Sequence, residues 1–173
     1  MQNKPQFKFA LRPWKVTDLD SLIKHANNFK IAKNMTDQFP FPYTIEKGKA
    51  FINFVSSNNP PNVLAIEIDG ETVGAVGVHM QSDIQKMNAE MGYWLSESYW
   101  GKGIMTEAIK QMTDYAFKTW PINRIYARPF GTNIGSQKAL EKAGFKLEAR
   151  FEKTFYKNDE FVDELIYAIR KEE

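Results

Sequence analysis

Between an apolar run ending at Leu95 and an amphipathic run beginning at Ile104 lies Ser98-Tyr99-Trp100-Gly101-Lys102-Gly103-Ile104-Met105-Thr106, a segment whose residue types suit the binding of phosphate. A helix that starts here leaves the N–H groups of its first turn without helical acceptors, beside the positive end of its dipole. The two glycines let that backbone approach a pyrophosphate closely. The same residues also serve an ordinary turn and helix start, so a lone Gly-x-Gly leaves both readings open. Lys102 either adds a charge to a phosphate or stays in water. No Gly-Lys-Ser or Gly-Lys-Thr closes a Walker loop and no third glycine completes a dinucleotide fingerprint, so ATP and NAD fit poorly.

Other chemistries are set aside by composition. The chain has 173 residues, no cysteine and two histidines, His25 and His79. Without thiols there is no disulfide scaffold, thiolate nucleophile or cysteine-ligated metal, and two histidines do not make a histidine-rich site, so no metal is expected. With 23 Lys and Arg against 21 Asp and Glu the formal charge is +2, and the basic residues are interleaved with acidic ones. That pattern offers no patch for nucleic acid or an anionic membrane. The run from Met1 to Phe7 lacks the apolar core of a signal peptide, and aliphatic stretches such as Val63-Leu64-Ala65-Ile66 are too short to cross a bilayer, so a cytoplasmic location is expected. Hydrophobic residues at 43% and charged residues at 25% are the proportions of a folded globular chain. Its length suits one domain over 1–173.

The elements that must position these residues follow from periodicity. Phe7 to Leu11 alternates as a first strand, broken at Arg12-Pro13. Thr17 is expected to cap a helix bearing Leu19, Leu22, Ile23 and Ala26, with Asp20 completing a capping box. Asn27 to Pro42 reads as irregular, with a helical turn around Ile31 to Met35. Thr44 is expected to cap a second helix through Ile45, Lys49, Ile52 and Val55. Val63 to Ile68, Asp69-Gly70 and Thr72 to Met80 make a hairpin, and Ala89 to Leu95 a third antiparallel strand. Gly101 opens a long helix with a buried stripe of Ile104, Ala108, Met112, Tyr115 and Ala116. After a short strand at Ile125 to Ala127, Ser136 to Ala143 forms a helix closed by Gly144. Phe145 to Phe155 and Phe161 to Ile169 form a last hairpin across Asn158-Asp159. The class is α+β with one strand-helix-strand crossover.

Three segments in this order and spacing are Ala89-Glu90-Met91-Gly92-Tyr93-Trp94-Leu95, Trp100-Gly101-Lys102-Gly103-Ile104-Met105-Thr106-Glu107-Ala108, and Asn133-Ile134-Gly135-Ser136 leading to Leu140-Glu141-Lys142-Ala143-Gly144-Phe145. In them the chain resembles the GNAT superfamily of acyl-CoA N-acyltransferases, most closely its RimJ/RimL-like branch, which includes ribosomal-protein N-terminal acetyltransferases. The resemblance implies a mixed, mostly antiparallel central sheet of about seven strands flanked by helices, with a splayed strand pair, those carrying Leu95 and Ile125, holding CoA.

It also implies acetyl-CoA as co-substrate. The pyrophosphate would lie on the amides of Gly101 to Thr106 and the pantetheine arm along the strand ending at Leu95. Asn133 matches the position that hydrogen-bonds the arm, and Ser136 the hydroxyl near the thiol. A tyrosine used four residues later by many members is Leu140 here, which makes Ser136 the better proton donor to the leaving thiolate. Both residues also suit a helix cap. Trp100 stands where Gln or Arg is usual and Met105 where Gly or Ala is usual. Lys142 has the same two readings as Lys102.

An amine of pKa about 10.4 must lose a proton before it attacks a thioester. Glu90, on a strand expected to be largely apolar, is the preferred base, and His79 ranks second. Glu90 also suits a cross-strand ion pair. Asp163 matches an acid of the family's last strand, with a structural or cleft-lining role. The oxyanion would meet a backbone N–H near Leu95. Lys33 to Tyr43 and the final hairpin would form the acceptor pocket, with Phe39, Phe41, Tyr43, Phe155 and Tyr156 either lining it or packing in the fold. The acceptor would be a small-molecule or peptide amine, and the chain a monomer or homodimer. The alternative is a CoA-sensing or protein-interaction module that keeps the fold without turnover.

Overall fold

The computed structural model describes residues 8–171. Seven strands form one mixed sheet, flanked by helices, in the order β1-β2-β3-β4-β5-β7-β6. Two compact units divide the chain. The first runs to Gly77 and takes in Tyr93–Ala108; the second takes Val78–Gly92 and the chain from Ile109 on.

In the first unit β1 (Ala10–Arg12) pairs antiparallel with β2 (Val63–Ile68), which pairs antiparallel with β3 (Glu71–Met80). The strand expected from Phe7 is therefore shorter, and Phe7 itself lies outside the described residues. The β2–β3 turn places Asp69 at φ 50° and Gly70 at φ 83°, the left-handed pair that a two-residue hairpin turn requires. Helices α1 (Leu19–Ala26), α2 (Phe29–Ala32) and α3 (Ile45–Ser56) belong to the same unit. Leu22, Ala26, Ile31, Ile52 and Val55 bury their apolar faces in a cluster with Trp14, Tyr43, Val63 and Trp94. Thr44 caps α3, its hydroxyl accepting the Lys47 N–H.

Thr17 does not cap α1. A tight turn, Val16–Asp18, precedes the helix, and the buried Asp18 carboxylate accepts the Lys15 N–H at 2.8 Å while gripping both terminal nitrogens of Arg12 at 2.7 and 2.8 Å. A carboxylate with a guanidinium partner displaces a hydroxyl from the capping role. Burial pushes the Asp18 carboxyl up, but the hydrogen bonds from Arg12 and Lys15 outweigh it and hold it below the usual range.

The second unit holds the first residues of β4 (Asn88–Leu95), then β5 (Arg124–Ala127), α5 (Ile134–Lys142), β6 (Lys146–Lys157) and β7 (Glu160–Arg170). Parallel pairing joins Asn88, Ala89 and Glu90 to Arg124, Ile125 and Tyr126, three residues of each strand. β5 pairs antiparallel with β7, and β7 with β6 across Asn158-Asp159, both at positive φ. Helix α4 (Ile104–Thr119) begins three residues after Gly101. Its fully buried positions are Ile104, Ala108, Ile109, Met112 and Ala116. Tyr115, expected in that stripe, is half-buried and meets the Trp120 ring edge-on at 5.5 Å. Among the described residues no helix is long and apolar enough to cross a membrane.

Candidate functional site

In the first unit, β4 ends at Leu95, a tight turn occupies Glu97–Tyr99, and α4 starts at Ile104. Gly101 and Gly103 sit at φ 73° and 78°, where a side chain would be strained, and open space faces the Gly101 Cα. Helical bonding of the first turn is closed by the Glu107 N–H donating to the Gly103 carbonyl at 3.1 Å. The amides before it point along the helix axis toward its positive end. This backbone fits a phosphate group: glycine conformations, an unobstructed approach and helical N–H donors coincide.

Side chains of the same segment turn back onto it. The Trp100 indole N–H donates to the Leu95 carbonyl at 2.7 Å, tying the loop to the strand end. The residue unusual for the family at this position thus has a bonding role. Lys102 Nζ donates to the Ser98 carbonyl at 2.6 Å and lies 5.3 Å from the centre of the Tyr99 ring. Met105 and Thr106 are half-buried and Ile104 fully buried.

In the second unit Asn133 caps α5, its Oδ1 accepting the Ser136 N–H at 3.2 Å. The two residues expected to act together are thus adjacent on one helix end. Lys142 is exposed in the last turn of α5, about 9 Å along the axis from Ser136 by helical rise. The loop into Asn133 is strapped to β7. Gly131 N–H donates to the Asp163 carbonyl at 2.8 Å, Leu165 N–H to the Pro129 carbonyl at 3.1 Å, and Phe130 bridges Glu164. The Asp163 carboxylate accepts the Lys153 N–H at 2.9 Å and the Arg150 guanidinium, which hold its carboxyl below the usual range. Asp163 therefore joins the β6–β7 hairpin to the Asn133 loop.

Glu90 is not in apolar surroundings. The Arg128 guanidinium donates to both its oxygens, at 2.9 and 3.3 Å, and reaches Glu164 at 3.4 Å; the Tyr126 hydroxyl lies 3.5 Å away. The register that sets Glu90 opposite Tyr126 brings the cluster together. Arg128 and the buried Glu164 are absent from the expected site, because the resemblance implies the neighbouring strand but the register that sets Arg128 and Glu164 beside Glu90 is fixed only when the strands pair. His79, near the end of β3, has its pKa lowered by the protein packed about it even though the side chain is more than a third exposed, with Glu90 acting weakly the other way. A histidine so shifted is neutral near pH 7 and accepts protons.

Of the aromatics expected near an acceptor, Phe39 packs edge-on against Tyr43 and Trp94 in the first unit's core, where burial pushes the Tyr43 phenol up to about 12. Phe41 is exposed and pairs with Phe29. Phe155 packs on Phe130 under the Arg128 guanidinium, and Tyr156 meets Phe161 at a tilted angle at the hairpin end. Among the described residues no group of three or more His, Cys, Asp or Glu is placed to hold a metal ion.

The family profile described as an acetyltransferase (GNAT) domain matches residues 8–146. The chain is 37% identical over 101 residues to the Bacillus subtilis protein named "Probable N-acetyltransferase YjcK", covering 58% of this chain and 56% of that one. It is 27% identical over 100 residues to the ribosomal-protein-serine acetyltransferase of Escherichia coli, covering 58% and 55%. These two matches span about half the length of each relative. Among solved structures, RimL, a ribosomal L7/L12 alpha-N-protein acetyltransferase in complex with coenzyme A, superimposes with a TM-score of 0.81 over 96% of both chains at 22% identity. With most of its length matched by the family profile and a fold shared with RimL, the chain belongs to the GNAT acetyltransferase family.

Proposed function

We propose that this GNAT enzyme moves an acetyl group from acetyl-CoA to a primary amine by direct attack, as a single N-acetyltransferase domain and without a covalent enzyme intermediate. The observation that carries the reading is the Gly101–Thr106 backbone, whose two left-handed glycines open onto the first turn of α4. Its amides take the pyrophosphate, and the end of β4 at Leu95 takes the pantetheine arm. Asn133 bonds that arm. Lys102 and Lys142 contribute positive charge toward the phosphates.

The amine arrives as an ammonium and gives its proton to Glu90, or in its place to His79. The neutral amine then attacks the thioester carbonyl, and a backbone N–H near Leu95 stabilises the oxyanion. The carbon–sulfur bond breaks as the Ser136 hydroxyl gives its proton to the departing CoA thiolate, and the extra proton on the nitrogen of the new amide passes back to the Ser136 oxygen, leaving neutral amide, free CoA thiol and restored serine. The acceptor is a protein N-terminus or a small-molecule amine in the cytoplasm, and the chain works as a monomer or homodimer. The E. coli relative's action on a ribosomal protein supports the first acceptor class.

A second reading is a CoA-binding module without turnover. The engagement of both Glu90 oxygens by Arg128 favours it, since a carboxylate paired within the fold already has a structural role. Release of free CoA from acetyl-CoA, followed with a thiol reagent across N-terminal peptides, polyamines, amino acids and aminoglycosides, decides between them. Amine-dependent release supports the enzyme. CoA binding with no release across the panel supports the module.

A further inference from the structure

The turn leading from β4 to the phosphate-binding backbone is held from outside. Ser96, the first residue after β4, is buried, and its Oγ lies 3.0 Å from Nδ1 of His25 on α1. The other ring nitrogen of His25 lies 2.8 Å from a Glu71 carboxylate oxygen. With Glu71 accepting from Nε2–H, neutral His25 accepts the Ser96 hydroxyl proton at Nδ1; protonated His25 donates from both nitrogens and Ser96 accepts. The link therefore survives either charge state. The next residue, Glu97, accepts from Asn28 Nδ2 at 2.9 Å and from Lys30 Nζ, contacts that hold its carboxyl below the usual range. Two residues on, the Tyr99 ring packs against the His25 ring with centroids 6.4 Å apart. Ser96 N–H is bonded to the Val73 carbonyl at 2.8 Å. Residues 96, 97 and 99 are thus each fixed by α1, α2 or the connection between them, immediately before Gly101.

We infer that His25, Asn28 and Lys30 form a positioning clamp that sets the affinity for the pyrophosphate of CoA without touching it. The inference rests on the proposed seat of the pyrophosphate at Gly101–Thr106. Backbone amides bind an anion tightly only when they are already aimed at it, and a turn left loose must be ordered at the expense of binding. Ser96 through Tyr99 is the segment on which that aim depends, and the clamp orders it before the ligand arrives.

The test compares wild type with His25→Ala, His25→Asn and Glu97→Ala. The readouts are calorimetric CoA affinity, steady-state kinetics with acetyl-CoA, and kinetics with S-acetylpantetheine, a donor without the pyrophosphate. Glu97→Ala alters a side chain on the surface and keeps the test open should His25→Ala fold poorly. His25→Ala and Glu97→Ala are expected to weaken CoA binding and raise the KM for acetyl-CoA about tenfold, with kcat changed less than twofold. Reaction with S-acetylpantetheine stays at the wild-type level. His25→Asn, whose amide replaces Nδ1, restores most of the affinity. Unchanged CoA affinity in Glu97→Ala and in folded His25→Ala overturns the clamp, as does an equal loss with S-acetylpantetheine, which marks general damage. A wild-type protein that binds no CoA fails at the phosphate seat itself, which distinguishes that failure from failure of the clamp.

Discussion

At Ser136 two roles meet in one residue. Its N–H is the donor that Asn133 caps, and its hydroxyl is proposed to protonate the leaving thiolate. Ser136→Ala keeps the backbone donor, so the cap survives while the proton source goes. Turnover is then expected to fall roughly 100-fold, in the range of lost general acid catalysis, with acetyl-CoA affinity within about threefold of wild type. Equal losses in kcat and affinity, from single-turnover and binding measurements, would assign the residue to capping alone. For the proton acceptor the sign comes from His79. Its surroundings lower its pKa, so it stays neutral below the ordinary histidine value of 6.5 and loses its capacity to accept only as the pH falls further. The acid limb of kcat/KM should therefore lie below pH 6.5, superposed on the rise from the amine's own deprotonation near pH 10. His79→Gln removes that limb if His79 accepts the proton. A limb unchanged in His79→Gln and abolished in Glu90→Gln would place the acceptor at the carboxylate.

Among the elements, the loop before α5 depends on a glycine for reasons of space. A Cβ on Gly131 would lie 2.9 Å from the Asp163 Cβ, closer than such atoms approach, while a Cβ on Gly135 would meet only the Asn133 Oδ1 at 3.9 Å. Gly131→Ala is therefore expected to cost about 2 kcal/mol and to lower kcat/KM about tenfold by lifting Asn133 off its strap. Gly135→Ala is expected to leave stability unchanged or raise it slightly, as alanine suits a helix. Urea unfolding of both variants separates the cases: equal destabilisation would mean that the strap to Asp163 does not hold the loop. The strap also shows what was legible beforehand. The β2–β3 and β6–β7 hairpins, the Thr44 cap and the glycine turn at 101–103 follow from short-range pattern, because turn chemistry and alternation are local. The Asp163 strap, the Arg128–Glu90–Glu164 cluster and the loss of the Thr17 cap to Asp18 rest on contacts between residues 6 to 38 positions apart in the chain. The resemblance pointed to Asn133, Ser136 and the Gly101–Thr106 backbone, but the register that brings Arg128 to Glu90 exists only once β4 and β5 pair.

For the molecule as a whole, ligand binding and unfolding are coupled, and the coupling has a size. A ligand bound only by the folded chain, at 100 times its dissociation constant, stabilises by about 2.7 kcal/mol. In a chain of this length each kcal/mol moves the midpoint by roughly 2–4 °C, so CoA and acetyl-CoA should raise the unfolding temperature by about 5–10 °C. NAD, for which no third glycine prepares the loop, should leave it in place. Dephospho-CoA keeps the pyrophosphate and lacks only the 3′-phosphate, so it should retain most of the shift if the α4 backbone carries the binding. A shift that disappears with dephospho-CoA would instead place the main charge contact at the 3′-phosphate, away from the Gly101–Thr106 amides. Absence of any shift with CoA would remove the phosphate seat on which the acetyl-transfer reading stands.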